Sequence, residues 1–219
     1  MHLVIMGAPG SGKGTYANTL KSEFAIPHIS TGEMFRKAIS EGTELGKLAK
    51  SLIDNGHFVP DDITNKLVKQ RLSEDDCKNG FLLDGYPRNI EQAEVFTEIL
   101  KELNIELDAV INLEIDESEI ISRIVNRRMC SNCGAGYNVI SQKPKVEGIC
   151  DKCGSEIYQR DDDKLESAKN RLAVYHKETA PVADYYKNTG ALYSTVLSKS
   201  VNRMKDEVAK DVIEYLRNK

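Results

Sequence analysis

The sequence predicts an α/β fold with a parallel sheet and helices on both of its faces. Three observations predict it. Short apolar segments alternate with longer helical patterns, a glycine-rich loop follows the first apolar segment, and Asp84 closes another apolar segment. Strands that alternate with helices form a parallel sheet, because each helix carries the chain back to the same edge. A chain of 219 residues is long enough for one main domain with small insertions.

The individual elements follow from apolar periodicity and from the residues at their boundaries. The predicted strands are 3–6, 27–29, 81–84, 109–113 and 191–197. The first helices are predicted at 13–24, 32–41 and 44–55, and the last two of these end at Gly42 and Gly56. Asp61 and Asp62 are expected to cap the next helix. Further helices are predicted at 89–103, around 120–124, as one long helix from about residue 165, and around 208–216.

Composition and charge narrow the class of protein. Hydrophobic residues make up 40% of the chain and charged residues 29%, which is ordinary for a globular protein. The net charge of −4 gives no overall basic field, so we expect no nucleic-acid partner. The apolar runs are too short to span a membrane and the N-terminus lacks a signal-peptide pattern, so we expect a cytoplasmic protein without a membrane partner.

The glycine-rich loop has the sequence GAPGSGKGT at residues 7–15. A strand, a glycine loop and a helix in this order are typical of a phosphate-binding loop, in which backbone N–H groups and a lysine surround a nucleotide phosphate. The alternative is a glycine turn with a surface lysine at Lys13. Gly14 stands where Ser or Thr commonly follows the lysine, so we expect Mg²⁺ to be bound through water.

Residues 129–158 interrupt the strand and helix pattern and contain two CxxC pairs. The four cysteines are Cys130, Cys133, Cys150 and Cys153. Their spacing is typical of a four-thiolate zinc site, and four protein ligands leave no open position for catalysis. The alternatives are two disulfides or unrelated cysteines, and iron also suits four thiolates. We therefore predict structural Zn²⁺.

Arginines form a third group in this net acidic chain. They are Arg36, Arg88, Arg123, Arg127, Arg160 and Arg171. Arg88 and Asp84 lie at the C-terminal end of a predicted buried strand, where ligands bind in such sheets. Asp84 is a candidate to hold Mg²⁺ through water. Arg123 and Arg127 are four residues apart and are expected on one helix face, where a solvated surface role is the alternative.

With these motifs the chain resembles adenylate kinases of the long bacterial type, whose lid carries a metal. The matching pieces are GAPGSGKGT (7–15), ISTGEMFR (29–36), GFLLDGYPR (80–88), Gln92, RIVNRR (123–128) and YQRDDD (158–163). The resemblance implies the P-loop nucleoside monophosphate kinase fold. It implies a core of 1–29, 60–125 and 165–219, an NMP-binding insertion at 30–59 and a zinc-bearing lid at 126–164. The implied reaction is reversible phosphoryl transfer between ATP and AMP that gives two ADP and balances the adenine nucleotides.

The resemblance also implies roles for single residues. The catalytic group would be Lys13, Arg88, Arg123, Arg160, Arg171 and Asp84. ATP would be bound by Gly10, Ser11, Gly12, Lys13, Gly14, Thr15, Arg123, Arg127, Gly136 and Tyr137, with its adenine loosely assigned to residues 198–201. AMP would be bound by Thr31, Arg36, His57, Phe58, Val59, Gly85, Tyr86, Pro87, Arg88, Gln92, Arg160 and Arg171. Asp162 and Asp163 match acids that order the lid hinge.

Three other functions are compatible with parts of the sequence. A UMP/CMP kinase would share the fold, although Gln92 and Thr31 favour adenine. A nucleic-acid-binding zinc ribbon would use the cysteines, but basic and aromatic side chains are few around them. A P-loop ATPase or switch would need only water as acceptor, and the second set of arginines argues against it. We expect ATP, AMP and ADP as partners, Mg²⁺ with ATP, and a monomer.

Overall fold

The computed structural model describes residues 1–197 and 201–219 of the chain. The strands are β1 (His2–Gly7), β2 (His28–Ser30), β3 (Phe81–Asp84), β4 (Ala109–Ile115), β5 (Arg127–Cys130), β6 (Gly136–Asn138), β7 (Ile157–Tyr158) and β8 (Leu192–Leu197). The helices are α1 (Lys13–Phe24), α2 (Thr31–Ser40), α3 (Glu44–Asp54), α4 (Asp61–Leu72), α5 (Ile90–Glu102), α6 (Glu117–Val125), α7 (Leu165–Val174), α8 (Pro181–Asn188) and α9 (Val201–Arg217).

In the described chain the main sheet has the strand order β2-β3-β1-β4-β8, and its pairings are parallel. Val4 of β1 lies opposite Leu83 of β3 and Val110 of β4. These three side chains belong to one buried apolar cluster, with residues from α4, α5 and α8. The alternate positions of the same strands pack on the other face against α1 and α9. The prediction of a parallel sheet with helices on both faces is therefore confirmed.

Two predicted helix boundaries are wrong. Pro60 precedes α4, and no side chain caps this helix. Asp61 lies inside its first turn and accepts hydrogen bonds from Asn89 and Gln92 instead. The long helix predicted from about Leu165 is divided into α7, a π-helical turn at 175–179, and α8, which begins at Pro181. Proline suits the first turn of a helix because its missing N–H is not needed there.

Two segments outside the main sheet have small apolar clusters of their own. Between β2 and α4, α2 and α3 pack around Phe35, Ala49 and Val59. Residues 127–158, here called the cysteine segment, contain an antiparallel sheet in the order β6-β5-β7 and a cluster around Cys130, Tyr137 and Cys150. The adenine contact expected at residues 198–201 falls on 198–200, outside the described residues, and on Val201, whose side chain is not described either. No helix among the described residues is both long and apolar enough to cross a membrane.

Candidate active site

A single cleft opens at the carboxyl ends of β1 and β3, and the cysteine segment lies along its rim. The cleft has a volume of about 1530 Å³. Pockets for one small molecule span roughly 300–1,000 Å³, so this cleft has room for two nucleotides. Every residue predicted to bind a nucleotide lines it, apart from Ser11, which is buried within the loop, and residues 198–201, whose side chains are not described. Residues predicted from separate motifs therefore meet in one place.

The phosphate loop connects β1 to α1. Gly10 and Gly12 have φ of 78° and 92°, in the left-handed region that glycine adopts without strain. α1 begins at Lys13 without a side-chain cap, so its first N–H groups remain available for an anion. The Lys13 ammonium donates to the carbonyl oxygens of Gly7 and Ala8, at 2.7 and 2.9 Å. Burial lowers the pKa of Lys13 to about 8, partly offset by the charge of Asp84. A phosphate at the loop would supply the countercharge that this cation lacks.

Asp84 ends β3 beside the phosphate loop. Burial alone would raise its pKa, but the approach of His28 and the charges of Lys13 and Arg88 keep the pKa below its usual value. Nε2 of His28 lies 3.5 Å from Oδ2 of Asp84. The carboxylate is therefore ionised and close to the loop, as a group that binds the water shell of Mg²⁺ must be. The sequence analysis did not identify His28 as part of this site.

Arg88 is fixed at the end of β3 by three contacts. Its Nε donates to the carbonyl oxygen of Gly85 at 2.6 Å. Its own carbonyl oxygen accepts a hydrogen bond from Thr179 at 2.7 Å. Its guanidinium lies over the ring of Phe58, 4.9 Å from the centroid. These contacts hold the guanidinium in the cleft while leaving its two terminal nitrogens for an anion.

Three arginines in the cleft lack an acidic partner. Within the described chain, Arg36, Arg88 and Arg160 have no carboxylate within 4.0 Å, and Nε of Arg160 is buried without a hydrogen-bond partner. Burial and neighbouring arginines lower the pKa of Arg88 and of Arg160. Guanidinium groups stay charged at neutral pH even so. All three arginines are partly buried, and partly buried cations without a countercharge are costly, so this part of the cleft suits anionic groups.

Three other arginines are held by acids. Arg123 donates to Glu119 at 2.7 Å, and Arg127 donates from Nε to Asp163 at 2.8 Å. Arg171 donates to Asp162 at 2.9 Å and to Asp163 at 3.3 Å. Asp163 is fully buried and joins Arg127 to Arg171. The prediction that Arg123 and Arg127 share a helix face is wrong, because α6 ends at Val125 and Arg127 begins β5.

Gln92 and Thr31 are buried and line the same cleft as the phosphate loop. The Gln92 side chain accepts from the backbone N–H of Arg88 at 2.8 Å and donates to Asp61 at 2.6 Å. The Thr31 hydroxyl donates to the carbonyl oxygen of Gly85 at 2.8 Å. Around them the cleft is lined by His57, Phe58, Val59, Gly85, Tyr86 and Pro87.

The four cysteines of the two CxxC pairs meet at one point. Their sulfur atoms all lie within 4.8 Å of one another. Sγ of Cys130 is 3.4 Å from that of Cys153, and Sγ of Cys133 is 3.6 Å from that of Cys150. Disulfide sulfurs lie about 2.05 Å apart. Zinc at about 2.3 Å from each of four sulfurs spaces them by about 3.8 Å, so the four thiols fit a tetrahedral ion.

Tyr137 and Ser155 surround the sulfur cluster. The Tyr137 hydroxyl lies 3.3 Å from Sγ of Cys150 and accepts from the N–H of Asp151 at 2.7 Å. Hydrogen bonds from Ser155 lower the pKa of the Cys153 thiol to about 6, which favours the thiolate that binds metal. Tyr137, predicted to contact ATP, thus directs its hydroxyl at the thiols, while both it and Gly136 line the cleft.

Several residues of the site were not predicted from the sequence. They are His28, Asp61, Asn89 and Thr179. Asp61 carried a local signal, an acid at the start of a helix, but that signal indicated a cap. His28 and Thr179 contact site residues from distant parts of the chain, and no short motif contains such a pair. Asn89 did carry a local signal, because it caps α5 and accepts from the backbone N–H of Gln92 three residues later.

A parallel sheet with a phosphate loop after its first strand, an ionised carboxylate after β3 and unpaired arginines across the cleft define a P-loop kinase of small phosphate-bearing substrates. Comparison with known proteins agrees. Residues 5–191 match the family model described as adenylate kinase. Over 216 residues the chain is 51% identical to adenylate kinases of Staphylococcus epidermidis and Staphylococcus aureus, covering 99% of this chain and 99% of each relative. The chain belongs to the adenylate kinase family, with the P-loop nucleoside monophosphate kinase fold.

Proposed function

We propose that this cleft transfers the γ-phosphoryl group of ATP to AMP, with ATP on the phosphate loop and AMP between Gln92 and Arg88. The chain is an enzyme of the adenylate kinase family, and its reaction is reversible phosphoryl transfer that gives two ADP. The observation that carries our placement is that three arginines without an acidic partner, Arg36, Arg88 and Arg160, line the same cleft as Lys13. A hydrolase needs only water there, whereas a second phosphate-bearing substrate needs cations of its own.

On the ATP side, the first N–H groups of α1 and the Lys13 ammonium would bind the β- and γ-phosphates. To do so Lys13 exchanges the carbonyl oxygens of Gly7 and Ala8 for phosphate oxygens. Ser11 supports the loop from inside, and Gly14 and Thr15 lie exposed at the start of α1. Arg123 and Arg127 would turn from Glu119 and Asp163 toward ATP, and Gly136 would meet the nucleotide through its backbone.

On the AMP side, Arg36 and Arg88 would bind the α-phosphate with their planar forks. Gln92 would meet the adenine, with Thr31 and the backbone of Gly85 beside it. His57, Phe58, Val59, Tyr86 and Pro87 would form the wall of this pocket, and Phe58 already packs on the Arg88 guanidinium.

The transfer itself requires positioning and charge neutralisation more than covalent chemistry. Arg160 and Arg171 would approach the transferring group from the side of the cysteine segment, at the cost of the ion pairs that Arg171 makes with Asp162 and Asp163. Asp84 would hold Mg²⁺ through water, and the ion would neutralise charge on the phosphates of ATP. Closure over the cleft would exclude water and so prevent hydrolysis of ATP.

We assign the insertions and the metal as follows. Residues 30–59 form the NMP-binding domain and 126–164 the lid, on a core of 1–29, 60–125 and 165–219. The four cysteines hold structural Zn²⁺, since four protein ligands leave no open position. The working unit is a monomer, because the ligands proposed for both nucleotides come from one chain. A cytoplasmic location fits four metal-binding thiols and adenine nucleotide substrates.

An acceptor screen tests the assignment. ATP·Mg²⁺ is offered with AMP, UMP, CMP, GMP or water alone, and ADP formation is followed. We expect AMP to give the highest kcat/KM and water to give almost no turnover. Preference for UMP or CMP would show that the enzyme is a pyrimidine nucleotide kinase. Fast hydrolysis of ATP without an acceptor would show that it is an ATPase.

A further inference from the structure

The side-chain amide of Gln92 can recognise two opposite base edges, depending on which way it points. Adenine presents an acceptor at N1 and a donor at the 6-amino group. Hypoxanthine, the base of IMP, presents a donor at N1 and an acceptor at O6. A glutamine amide carries both a donor and an acceptor, so a flip of 180° changes its preference from one base to the other. Specificity at Gln92 therefore needs something that prevents the flip.

The structure holds both ends of this amide. Oε1 of Gln92 accepts from the backbone N–H of Arg88 at 2.8 Å, and Nε2 donates to Oδ1 of Asp61 at 2.6 Å. The other oxygen of Asp61 accepts from Nδ2 of Asn89 at 2.8 Å. Oδ1 of Asn89 in turn accepts from the backbone N–H of Gln92 at 2.8 Å. Gln92 is 1% exposed, so water cannot replace a lost partner easily.

These contacts fix the direction of the amide without ambiguity. A backbone N–H only donates, and an ionised carboxylate only accepts. A flipped Gln92 would place its N–H₂ group against the N–H of Arg88 and its oxygen against Asp61. Two favourable contacts would become two repulsive ones. Of the two holding groups, the Arg88 N–H belongs to the backbone, so Asp61 is the side chain on which the direction depends.

We propose that Asp61 is a positioning residue that sets the adenine preference of the acceptor site by locking the Gln92 amide. The locked amide keeps one N–H and one oxygen lone pair, which match N1 and the 6-amino group of adenine. This inference rests on the proposed function, because it requires the acceptor base to lie against Gln92. Asp61 itself does not touch the substrate in this scheme.

A double-mutant cycle with AMP and IMP as acceptors tests the proposal. At saturating ATP, kcat/KM is measured for both acceptors in the wild type, Asp61→Ala, Gln92→Ala and the double variant. We expect Asp61→Ala to lower the ratio of kcat/KM for AMP to kcat/KM for IMP about tenfold. This factor corresponds to the free energy of one charge-assisted hydrogen bond. In the Gln92→Ala background, Asp61→Ala should leave the ratio unchanged, because the two residues act as a unit. Asp62→Ala is the matched control, since Asp62 is exposed in the same helical turn.

Other outcomes overturn the proposal. An equal loss for AMP and IMP in Asp61→Ala would assign Asp61 a purely structural role. A fall of the ratio in the Gln92→Ala background would show that Asp61 does not act through Gln92. If Asp61→Ala melts below the assay temperature, Asp61→Asn replaces it, with an expected loss of about threefold. If the wild type phosphorylates AMP but Gln92→Ala has the same ratio of kcat/KM for AMP to that for IMP as the wild type, the inference alone is refuted. A wild type that is inactive on AMP would refute the proposed function.

Discussion

The phosphate loop and the cysteine segment carry the two most specific motifs of the chain, but they are stabilised by different means. The loop follows β1, whose residues Leu3 to Met6 are buried between the two large apolar clusters of the sheet. The cysteine segment has a small cluster around Cys130, Tyr137 and Cys150, while Ile140 and Val146 are 64% and 61% exposed. Packing thus fixes the loop, whereas the cysteine segment has little apolar core, so we expect its fold to depend on metal binding by its thiols.

This difference suggests that the residues that bind phosphate and the residues that stabilise the cysteine segment are different sets. The groups that we place on phosphate are cations, and the arginines near the cysteine segment lie at its ends rather than within the sulfur cluster. Arg127 begins the segment, and Arg160 and Asp163 follow it. Asp163 pairs with Arg127 and Arg171 and so connects the segment to α7. A change in the loop should therefore affect turnover with little effect on the fold, and a change at the cysteines should do the reverse.

The largest effect is expected for Lys13→Ala. The ammonium neutralises charge that grows on the transferring group, so its loss should lower kcat on the order of 10³-fold. The melting temperature should change little, because the hydrogen bonds of the Lys13 ammonium go to carbonyl oxygens of its own loop. Steady-state kinetics and thermal melting measure the two effects. Near-normal kcat in the variant would remove Lys13 from the catalytic group.

Arg88→Lys tests the shape of a cation rather than its charge. Lysine keeps the positive charge but loses the planar fork, the bond to Gly85 and the stacking on Phe58. We expect kcat/KM for AMP to fall on the order of 10²-fold, with a smaller change in KM for ATP. Matched kinetics with Arg71→Lys provide the control, since Arg71 pairs with Asp76 away from the cleft. Full activity in Arg88→Lys would leave Arg88 as a merely structural residue.

Metal removal tests how far the cysteine segment depends on a bound ion for its stability. Protein purified without chelator should contain one ion per chain, and stripping the ion should unfold the cysteine segment first. Hydrogen exchange should rise in residues 127–158 while the main sheet stays protected, and activity at low temperature should persist in part. Cys133→Ser should reproduce this pattern, and Asn132→Ala, at an exposed neighbouring position, should not. Immediate loss of all turnover with the segment still ordered would make the metal catalytic.

How much could be predicted from the sequence depended on how far apart the interacting residues lie. The phosphate loop and the CxxC pairs were predictable, because their geometry is set within a few residues. The partnership of Asp61 with Gln92 joins positions 31 residues apart and leaves no local pattern. The end of α6 before Arg127 is not contained in the apolar periodicity. The division between α7 and α8 did have a local signal, Pro181 in the first turn of α8, which the prediction of one long helix overlooked.

The smallest predicted effect is a dependence of kcat/KM for ATP on pH, which arises from the titration of Lys13 in the phosphate loop. Burial lowers the pKa of Lys13 to about 8 from its ordinary value of 10.5, so the free enzyme loses this positive charge as the pH rises above 8. kcat/KM for ATP, which reports groups of the free enzyme, should fall about tenfold between pH 7 and pH 9. kcat at saturating ATP should stay nearly flat there, because bound phosphate favours the charged ammonium. Arg127 is the only residue of the cysteine segment among the charges that lower the Lys13 pKa, and its contribution is the smallest of them, so metal-stripped enzyme assayed at low temperature should show nearly the same alkaline limb. A limb that moved on metal removal would mean that the two regions are coupled through their charges, and a profile flat to pH 9.5 would mean that Lys13 keeps an ordinary pKa in the free loop.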